Sequence, residues 1–309
     1  MDRRIYDQYV FQIAENGSLT RAAAALGISQ PALSSGLTAL EKEVGIRIFN
    51  RRSVPITFTP EGELYYEYIS RLKVLTGDFE KRLESYREDG NRRVSVGGPV
   101  AYVESIVADA VVRLRKINPQ YRITVKASPL SELIAMASAG ELDCFISTSD
   151  TIPENFEKVL IRQEKIYVCI PAENPLNDGL SEYRVSLGEN GKLFDFSLLN
   201  EESFVFLEEN QPLQQRILEF LTENGIEPKS SVTVNQVSTA LNLSLKGEGI
   251  CFASEEALEC RQDLNRICLY SMPDFVSKRK IYVAYEKTLF QSEACRTLIG
   301  LMTGKASQG

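Results

Sequence analysis

Uncharged hydrogen-bonding side chains mark one face of a predicted helix that starts near residue 29 of this 309-residue chain. Ser29 and Pro31 are typical of a helix start, because a serine hydroxyl caps free N–H groups and proline has none to satisfy. The face that follows carries Gln30, Ser34, Ser35 and Thr38. Such short groups can reach phosphates and base edges without burying a charge. The predicted chemistry is recognition of a DNA groove, with Ser29, Gln30, Pro31 and Ser34 as the contacts.

The elements around that face predict a helix-turn-helix. Ser18 can cap a short alanine-rich helix that ends at Gly27, and the second helix ends at Gly45. The apolar face of the second helix consists of Leu33, Leu37, Leu40 and Val44, which are spaced by threes and fours. A helical hairpin in an ordinary protein core is the alternative interpretation of this pair.

Residues 5–16 and 46–59 favour DNA binding over a core hairpin. The first range is amphipathic and predicts another helix ahead of the pair, whereas the second predicts a two-stranded wing with Arg51 and Arg52 at its tip. Three helices followed by a basic wing describe a winged helix-turn-helix, whose arginines can reach phosphates or the minor groove. The residues expected to hold the DNA backbone or the minor groove are Thr20, Arg21, Arg51 and Arg52.

Residues 60–89 predict one long helix that begins at Pro60. Its apolar stripe comprises Leu64, Tyr68, Leu72, Leu75, Phe79, Leu83 and Tyr86. A stripe of this length favours a coiled-coil-like dimer seam, and an isolated helix with a solvated face is the alternative. Gly90 and Asn91 predict a hinge after the helix.

From residue 92 onward, strand-like and helix-like segments alternate, which predicts an α/β fold with parallel sheets and crossover helices. Strands are expected at RRVSVGG, YRITVK, LDCFIS, KIYVCIP, VTVNQ, GICFAS and KIYVAYE. Helices are expected at about 102–117, at SELIAMASAG, at 211–224, at STALNLSLKG and at about 289–302.

Several motifs together resemble those of the LysR-type transcriptional regulators. They are AENGSLTRAA, SQPALS, LEKEVGIRIFNR and TPEG, followed by NPQYRITV, AGELDCFI, NPL and KGEGICF. The resemblance covers nearly the whole chain and implies an N-terminal winged helix-turn-helix, a long linker helix and a two-subdomain α/β effector domain resembling periplasmic binding proteins. The implied boundaries are 1–59, 60–91 and 92–309, with subdomain I at about 92–161 and 268–309 and subdomain II at about 162–267.

The resemblance also implies a sequence-specific regulator that binds double-stranded promoter DNA. Such regulators dimerise through the linker helix and usually assemble as tetramers. A small-molecule effector would bind between the subdomains, RNA polymerase is a further candidate partner, and neither a cofactor nor a membrane is expected. Two alternatives stay open: a cytoplasmic small-molecule-binding receptor, and a DNA-binding protein that acts without a ligand.

The resemblance implies that the effector cleft is lined by four segments and by two phenylalanines opposite them. The segments contribute Gly98, Pro99, Val100 and Tyr102; Ser128, Pro129, Leu130 and Ser131; Ser147 and Thr148; and Gln236, Val237 and Ser238. The opposite wall is expected at Phe204 and Phe206. Many relatives place a hydroxyl where this chain has Gly98-Pro99 and another where it has Leu130, so the sequence argues against an aromatic-acid ligand. Packing or turn formation is the alternative role for each of these residues.

The residue types also argue against catalysis. The chain has no histidine, which removes Ser-His-Asp and Cys-His nucleophiles, imidazole proton transfer and common zinc sites. It has neither GxGxxG nor GxxxxGK[ST]. Cys251, Cys260 and Cys268 invite a thiol-sensor or metal hypothesis, but Cys251 and Cys268 lie in apolar runs typical of buried, inert thiols. We expect no enzyme, no metal site and no cofactor.

Charge and hydropathy agree with a DNA-binding protein in the cytoplasm. Residues 1–60 contain seven Lys/Arg and five Asp/Glu, so a part with charge +2 precedes a remainder of −9 in a chain of net charge −7. An acidic remainder disfavours indiscriminate DNA binding and leaves affinity to a few placed arginines. The chain has neither an apolar run of membrane-spanning length nor a secretion-type N-terminus, which predicts a cytoplasmic protein.

Overall fold

The computed structural model describes residues 3–51, 53, 55–85, 92–149 and 152–304. The chain divides into two compact units, Met1–Glu80 and Lys81–Gly309. Among the described residues, no helix combines the length and the apolar character needed to cross a lipid bilayer.

The first unit has the predicted three helices and two-stranded wing. Its elements are α1 (Arg3–Asn16), α2 (Leu19–Ala25), α3 (Gln30–Val44), β1 (Phe49–Asn50), β2 (Thr57–Phe58) and the start of α4 (Pro60–Ser85). β1 and β2 pair antiparallel, with Phe49 opposite Phe58. Its core includes Val10, Ile13, Leu33, Leu37, Leu40 and Ile48, all fully buried. The apolar spacing of the second helix therefore predicted its buried face correctly.

Side-chain caps and left-handed glycines set the bounds of α2 and α3. The Ser18 hydroxyl accepts from the N–H of Arg21, and the Ser29 hydroxyl accepts from the N–H of Ala32 at 3.3 Å. Gly27 and Gly45 have φ of +67° and +75°, which glycine adopts without the cost of a Cβ. The predicted helix starts and ends are confirmed.

The TPEG motif fixes the start of α4 against the wing. The Thr59 hydroxyl accepts from the N–H of Gly62 at 2.9 Å and donates to the carbonyl of Arg47 at 2.5 Å. A Cβ on Gly62 would lie 1.9 Å from the carbonyl oxygen of Ile48, so only glycine permits this approach. α4 is described to Ser85; the predicted stretch 86–89, with Tyr86, and the hinge residues Gly90 and Asn91 lie outside the described residues.

The second unit contains strands and helices in close alternation. Its strands are β3 (Arg93–Gly98), β4 (Arg122–Ala127), β5 (Cys144–Ser147), β6 (Phe156–Glu164), β7 (Ile166–Pro171), β8 (Arg184–Val185), β9 (Ser203–Leu207), β10 (Ser230–Val234), β11 (Cys251–Ser254), β12 (Ile267–Ser271) and β13 (Arg279–Glu286). Its helices are α5 (Val100–Tyr102), α6 (Ala108–Ile117), α7 (Leu130–Ser138), α8 (Leu176–Gly179), α9 (Pro212–Glu223), α10 (Val237–Ser244), α11 (Glu255–Glu259), α12 (Asp274–Ser277) and α13 (Glu293–Thr303). A π-helical turn, Val103–Val107, joins α5 to α6.

These strands form mixed sheets rather than the parallel sheets that the alternation predicted. The first sheet has the order β4-β3-β5-β13-β6, in which β3 runs parallel to β4 and β5 whereas β13 is antiparallel to β5 and β6. The second has the order β11-β7-β12-β8 with antiparallel pairs, and β9 and β10 pair in parallel beside it. The sheets are mixed because the chain passes from one sheet to the other through short connections and not through crossover helices. β6 leads directly into β7, and only the short α12 lies between β12 and β13.

Each sheet belongs to one subdomain, and the chain passes between them twice. The first crossing is at Lys165, between β6 and β7, close to the expected position near residue 162. The second follows Ser271, later than the expected return near residue 267. β12 stays in the second sheet because Leu269 and Tyr270 are buried there and pair with β7. Subdomain II therefore includes β12, which the predicted boundary assigned to subdomain I.

Candidate DNA-binding surface and effector cleft

The predicted DNA-contacting residues lie mostly exposed at the starts of two helices. Thr20 and Arg21 lie in the first turn of α2, and Ser29, Gln30 and Pro31 lie at the start of α3. Ser34, one turn farther along α3, is half-buried. The N–H groups at the start of α3 and its dipole favour a phosphate there, and the first turn has no acidic side chain to oppose one.

Arg51 lies against α3 instead of extending freely from the wing tip. Its Nη2 donates to the Glu41 carboxylate at 2.7 Å and to the Thr38 hydroxyl at 3.1 Å, and its Nη1 lies 3.5 Å from the Ser34 hydroxyl. Arg51 follows β1 in the connection between the two wing strands, as predicted, but Glu41 holds its guanidinium against the helix face. Arg52 lies outside the described residues.

Glu41 is a residue of this surface that sequence reasoning missed. One of its oxygens accepts from the backbone N–H of Ile48 at 2.9 Å and lies 3.4 Å from that of Phe49, while the other pairs with Arg51. A glutamate in the polar part of a helix has no local pattern that predicts such a contact. The carboxylate ties α3 to the first strand of the wing.

Three adjoining cavities form a cleft between the two subdomains of the second unit. The main cavity, of about 440 Å³, is lined by Pro99, Val100, Ser128, Pro129, Leu130, Ser131, Ile134, Ile146, Ser147, Thr148, Glu208, Asn210, Gln211, Pro212, Asn235 and Gln236. The inner cavity, of about 110 Å³, is lined in part by Tyr102, Glu104, Leu207, Val237, Ser238, Ser254, Cys260 and Arg279. The hinge cavity, of about 250 Å³, is lined by Thr148, Ser149, Ile166, Pro212, Leu213, Gln215, Arg216, Glu219 and Arg279.

Most of the predicted cleft residues come together around these cavities. Those that line the main or the inner cavity are Pro99, Val100, Tyr102, Ser128, Pro129, Leu130, Ser131, Ser147, Thr148, Gln236, Val237 and Ser238. The predicted wall at Phe204 and Phe206 is wrong, because both rings are buried and stack with centroids 5.2 Å apart in the core of subdomain II. Side chains alternate along a strand, so Leu207 is the β9 residue that reaches the cleft. Gly98 lies behind the cleft against Ile146.

Four helices begin at this cleft, and none has a side-chain cap. They are α5, α7, α9 and α10. By contrast, serine hydroxyls cap α2, α3, α11 and α13. The first N–H groups of an uncapped helix can donate to a bound molecule. The cleft therefore offers backbone donors on several sides.

A buried cluster of three polar side chains lies behind the inner cavity. Glu164 Oε1 accepts from the Tyr102 hydroxyl at 2.5 Å and from Arg279 Nε at 2.5 Å, and Arg279 Nη2 also donates to the Tyr102 oxygen. Burial raises the pKa of Tyr102 above its usual range, so its hydroxyl stays protonated and can donate. Sequence reasoning missed Glu164 and Arg279, since charged residues at strand ends are typical of a solvated surface.

Glu256 of α11 joins the two subdomains. The buried carboxylate accepts from the Ser105 hydroxyl at 2.6 Å and pairs with Arg162 of β6. Ser105 lies in the π-helical turn, which places its side chain toward α11. Such turns are frequent at functional sites. The contact holds subdomain I against subdomain II beside the inner cavity.

Comparison with known protein families matches both units. The family described as bacterial regulatory helix-turn-helix protein, lysR family, matches residues 8–63, and the LysR substrate binding domain matches residues 87–307. The chain belongs to the LysR family of transcriptional regulators. It is therefore a DNA-binding regulator with an effector-binding domain.

Individual relatives agree with the LysR assignment. The probable cat1 operon transcriptional activator of Acinetobacter lwoffii is 25% identical over 269 residues, which cover 86% of this chain and 84% of the relative. The HTH-type transcriptional regulator BenM of Acinetobacter baylyi is 25% identical over 249 residues, which cover 79% and 77%. Full-length CbnR, solved in complex with its target DNA, has a TM-score of 0.64 at 19% identity over 99% of this chain and 100% of that one, which shows a shared fold. These relatives are named as regulators and not as enzymes.

The cysteines of this LysR regulator lie mostly in its cores. Cys144, Cys169, Cys251 and Cys295 are buried, and Cys169 lies directly opposite Cys251 in the second sheet. A hydrogen bond with Cys295 and burial raise the pKa of Cys144, and burial raises that of Cys169. A thiol with a raised pKa is a poor nucleophile. Within the described chain, no three Cys, Asp or Glu side chains cluster as metal ligands would.

Proposed function

We propose that this regulator binds a dyad-symmetric promoter site as a dimer of dimers and that a small molecule in the cleft alters the placement of its DNA-binding pairs. The observation that carries the proposal is α3, whose apolar face is buried while its polar residues stay accessible at its start. A helix built in this way can enter the major groove. RNA polymerase is a further partner in this proposal.

The contacts divide by role. Gln30 and Ser34 would read base edges, with Ser29 and Pro31 beside them at the groove. Thr20, Arg21, Arg51 and Arg52 would hold the DNA backbone or the minor groove. In support, the guanidinium of Arg51 lies next to Ser34 and Thr38, so basic and neutral donors share one surface.

The linker helix supports the dimer. The relative exposures of Leu64, Leu75 and Phe79 in α4 are 69%, 63% and 59%, and Tyr68, Leu72 and Leu83 on the same stripe are exposed as well. A helix from a second copy would remove this stripe from water, and burial of apolar area is the main force for association. We therefore assign the stripe to the dimer seam.

The cleft supports a small-molecule effector. Pro99, Val100, Tyr102, Ser128, Ser131, Thr148, Gln236 and Val237 are the residues proposed to contact it. The cavities are lined from both subdomains, so a bound molecule that fits one arrangement better shifts the equilibrium toward it. Only its differential affinity for the two arrangements can do so.

A footprint of the full-length protein on the DNA upstream of its own coding region tests this function. We expect protection over several helical turns around a dyad. Absence of protection at low salt, where phosphate contacts are strongest, would contradict DNA binding there and favour the small-molecule receptor.

A further inference from the structure

Two arginines from different subdomains line the hinge cavity. Arg279 begins β13 in subdomain I, and Arg216 lies in the second turn of α9 in subdomain II. Thr148, at the end of the first sheet, completes the wall between them. Ser128–Ser131 line the adjoining main cavity and not this one.

The Arg279 side chain is largely buried, and only two of its three nitrogens have partners among the described residues. Its side chain is 9% exposed, and its Nε and Nη2 bind Glu164 and Tyr102. Within the part of the chain that the structure describes, Nη1 has no hydrogen-bond partner. A guanidinium held in place by two partners, with one nitrogen left over, is pre-organised to bind an acceptor.

Arg216 connects the same cavity to the return crossing. Its Nη1 donates to the carbonyls of Val276 at 3.2 Å and Lys278 at 3.0 Å, which lie in the segment between β12 and β13. None of the described residues accepts from its Nε or Nη2. The start of α9, which has no side-chain cap, contributes Pro212 and Leu213 to the wall of the same cavity.

Two carboxylates lie next to the two arginines. Glu164 neutralises Arg279 from behind, and Glu219 lies one turn after Arg216 on the cavity wall. Two cations and two carboxylates leave no net charge. A ligand would therefore be selected by directed donors and not by overall attraction, as in bidentate arginine sites.

We propose that the hinge cavity is an oxyanion site, which takes a carboxylate, sulfate or phosphate group between Arg279, Arg216 and Thr148. The inference rests on the proposed function, since it names the group by which an effector acts on this cleft. An anion that bridges the two arginines joins both subdomains and holds the 276–278 segment. Occupancy would thereby favour one inter-subdomain arrangement.

Thermal unfolding of the full-length protein tests the site. Its midpoint is measured against rising sodium sulfate, phosphate or acetate, with sodium chloride at equal ionic strength as the reference. A specific site gives a saturable rise, whereas general salt effects continue without saturation. A lower half-saturating concentration for sulfate or phosphate assigns a tetrahedral anion, and a lower one for acetate assigns the carboxylate of an organic effector.

Arg216→Gln and Thr148→Val are the test variants, and Arg113→Gln is the matched control, because Arg113 likewise donates to a backbone carbonyl, that of Leu301. We expect the half-saturating concentration to rise about tenfold in both test variants and to stay unchanged in the control. If Arg216→Gln fails to fold, Thr148→Val decides. Equal half-saturation in all variants, or no saturable effect, would overturn the site.

DNA binding is measured on the same samples. An unsubstituted protein that binds DNA but shows no saturable anion effect, or variants that bind DNA and share its half-saturating concentration, would overturn only the oxyanion site. Loss of DNA binding with the anion effect retained would contradict only the proposed function.

Discussion

At the scale of single residues, Gln30 and Arg51 lie on one surface but are assigned different tasks. A glutamine amide can pair with a base edge through two hydrogen bonds, which distinguishes one base pair from another. A guanidinium next to a phosphate adds affinity that does not depend on sequence. The two roles predict different responses to substitution.

Gln30→Ala is expected to relax base preference. The affinity for the best site should fall by about 1–3 kcal/mol, while the affinity for variants at the contacted base pair should change little. Fluorescence anisotropy with single-base-pair variants measures this. An unchanged preference at every position would remove Gln30 from the readout.

Arg51→Ala is expected to weaken binding to all sequences alike and to reduce the salt slope by about one. The loss of DNA affinity is larger than that of one phosphate contact, because the substitution also leaves the negative charge of Glu41 unpaired near the DNA. The control is Arg71→Ala, an exposed arginine on α4 that pairs with Glu67. Equal salt slopes for both variants would contradict a phosphate contact by Arg51.

At the scale of elements, the approach of α4 to the wing depends on Gly62. Gly62→Ala would force its Cβ against the Ile48 carbonyl, and we expect a cost of roughly 2–3 kcal/mol in the stability of the first unit. Gly77→Ala is the control, because the same helix leaves open space there and alanine should stabilise it by about 0.5–1 kcal/mol. Hydrogen exchange within residues 1–80 measures both. Similar effects of the two substitutions would show that the close approach is not constraining.

The stripe on α4 makes a prediction about assembly. Phe79→Glu places a charge in the proposed seam and should shift the protein toward monomers in sedimentation velocity, with a matching loss of DNA affinity. Leu193→Glu, at an exposed apolar residue of subdomain II, is the control and should leave the assembly intact. An unchanged assembly in Phe79→Glu would place the seam elsewhere.

Local patterns predicted the helices and their ends better than the sheets. Ser18, Ser29, Gly27 and Gly45 set helix bounds through contacts a few residues away, so their types were informative. The strand β6 was missed because it lies at a sheet edge and only its end residues, Phe156 and Glu164, are buried, so its sequence lacks the apolar run of a buried strand. Strand direction was also missed, because it depends on where the chain crosses between subdomains.

Local sequence patterns also predicted only part of the cleft. Its rim comes from turns after strands and was largely predicted, but Glu164 and Arg279 meet across 115 residues. A contact of that separation leaves no periodic pattern. The prediction for Phe204 and Phe206 failed for a related reason. Side chains alternate along a strand, and this alternation points both rings into the core and not toward the cleft.

At the scale of the whole molecule, the central claim is that pairs of these chains present two α3 helices to one symmetric DNA site. Two-fold symmetry in a protein is matched by inverted half-sites about one helical turn apart, or a multiple of it. The most direct measurement is selection of bound sequences from a random DNA pool by the full-length protein. We predict enriched sequences with two inverted half-sites at such a spacing. Enrichment of single, non-symmetric sites, or no enrichment, would contradict the account.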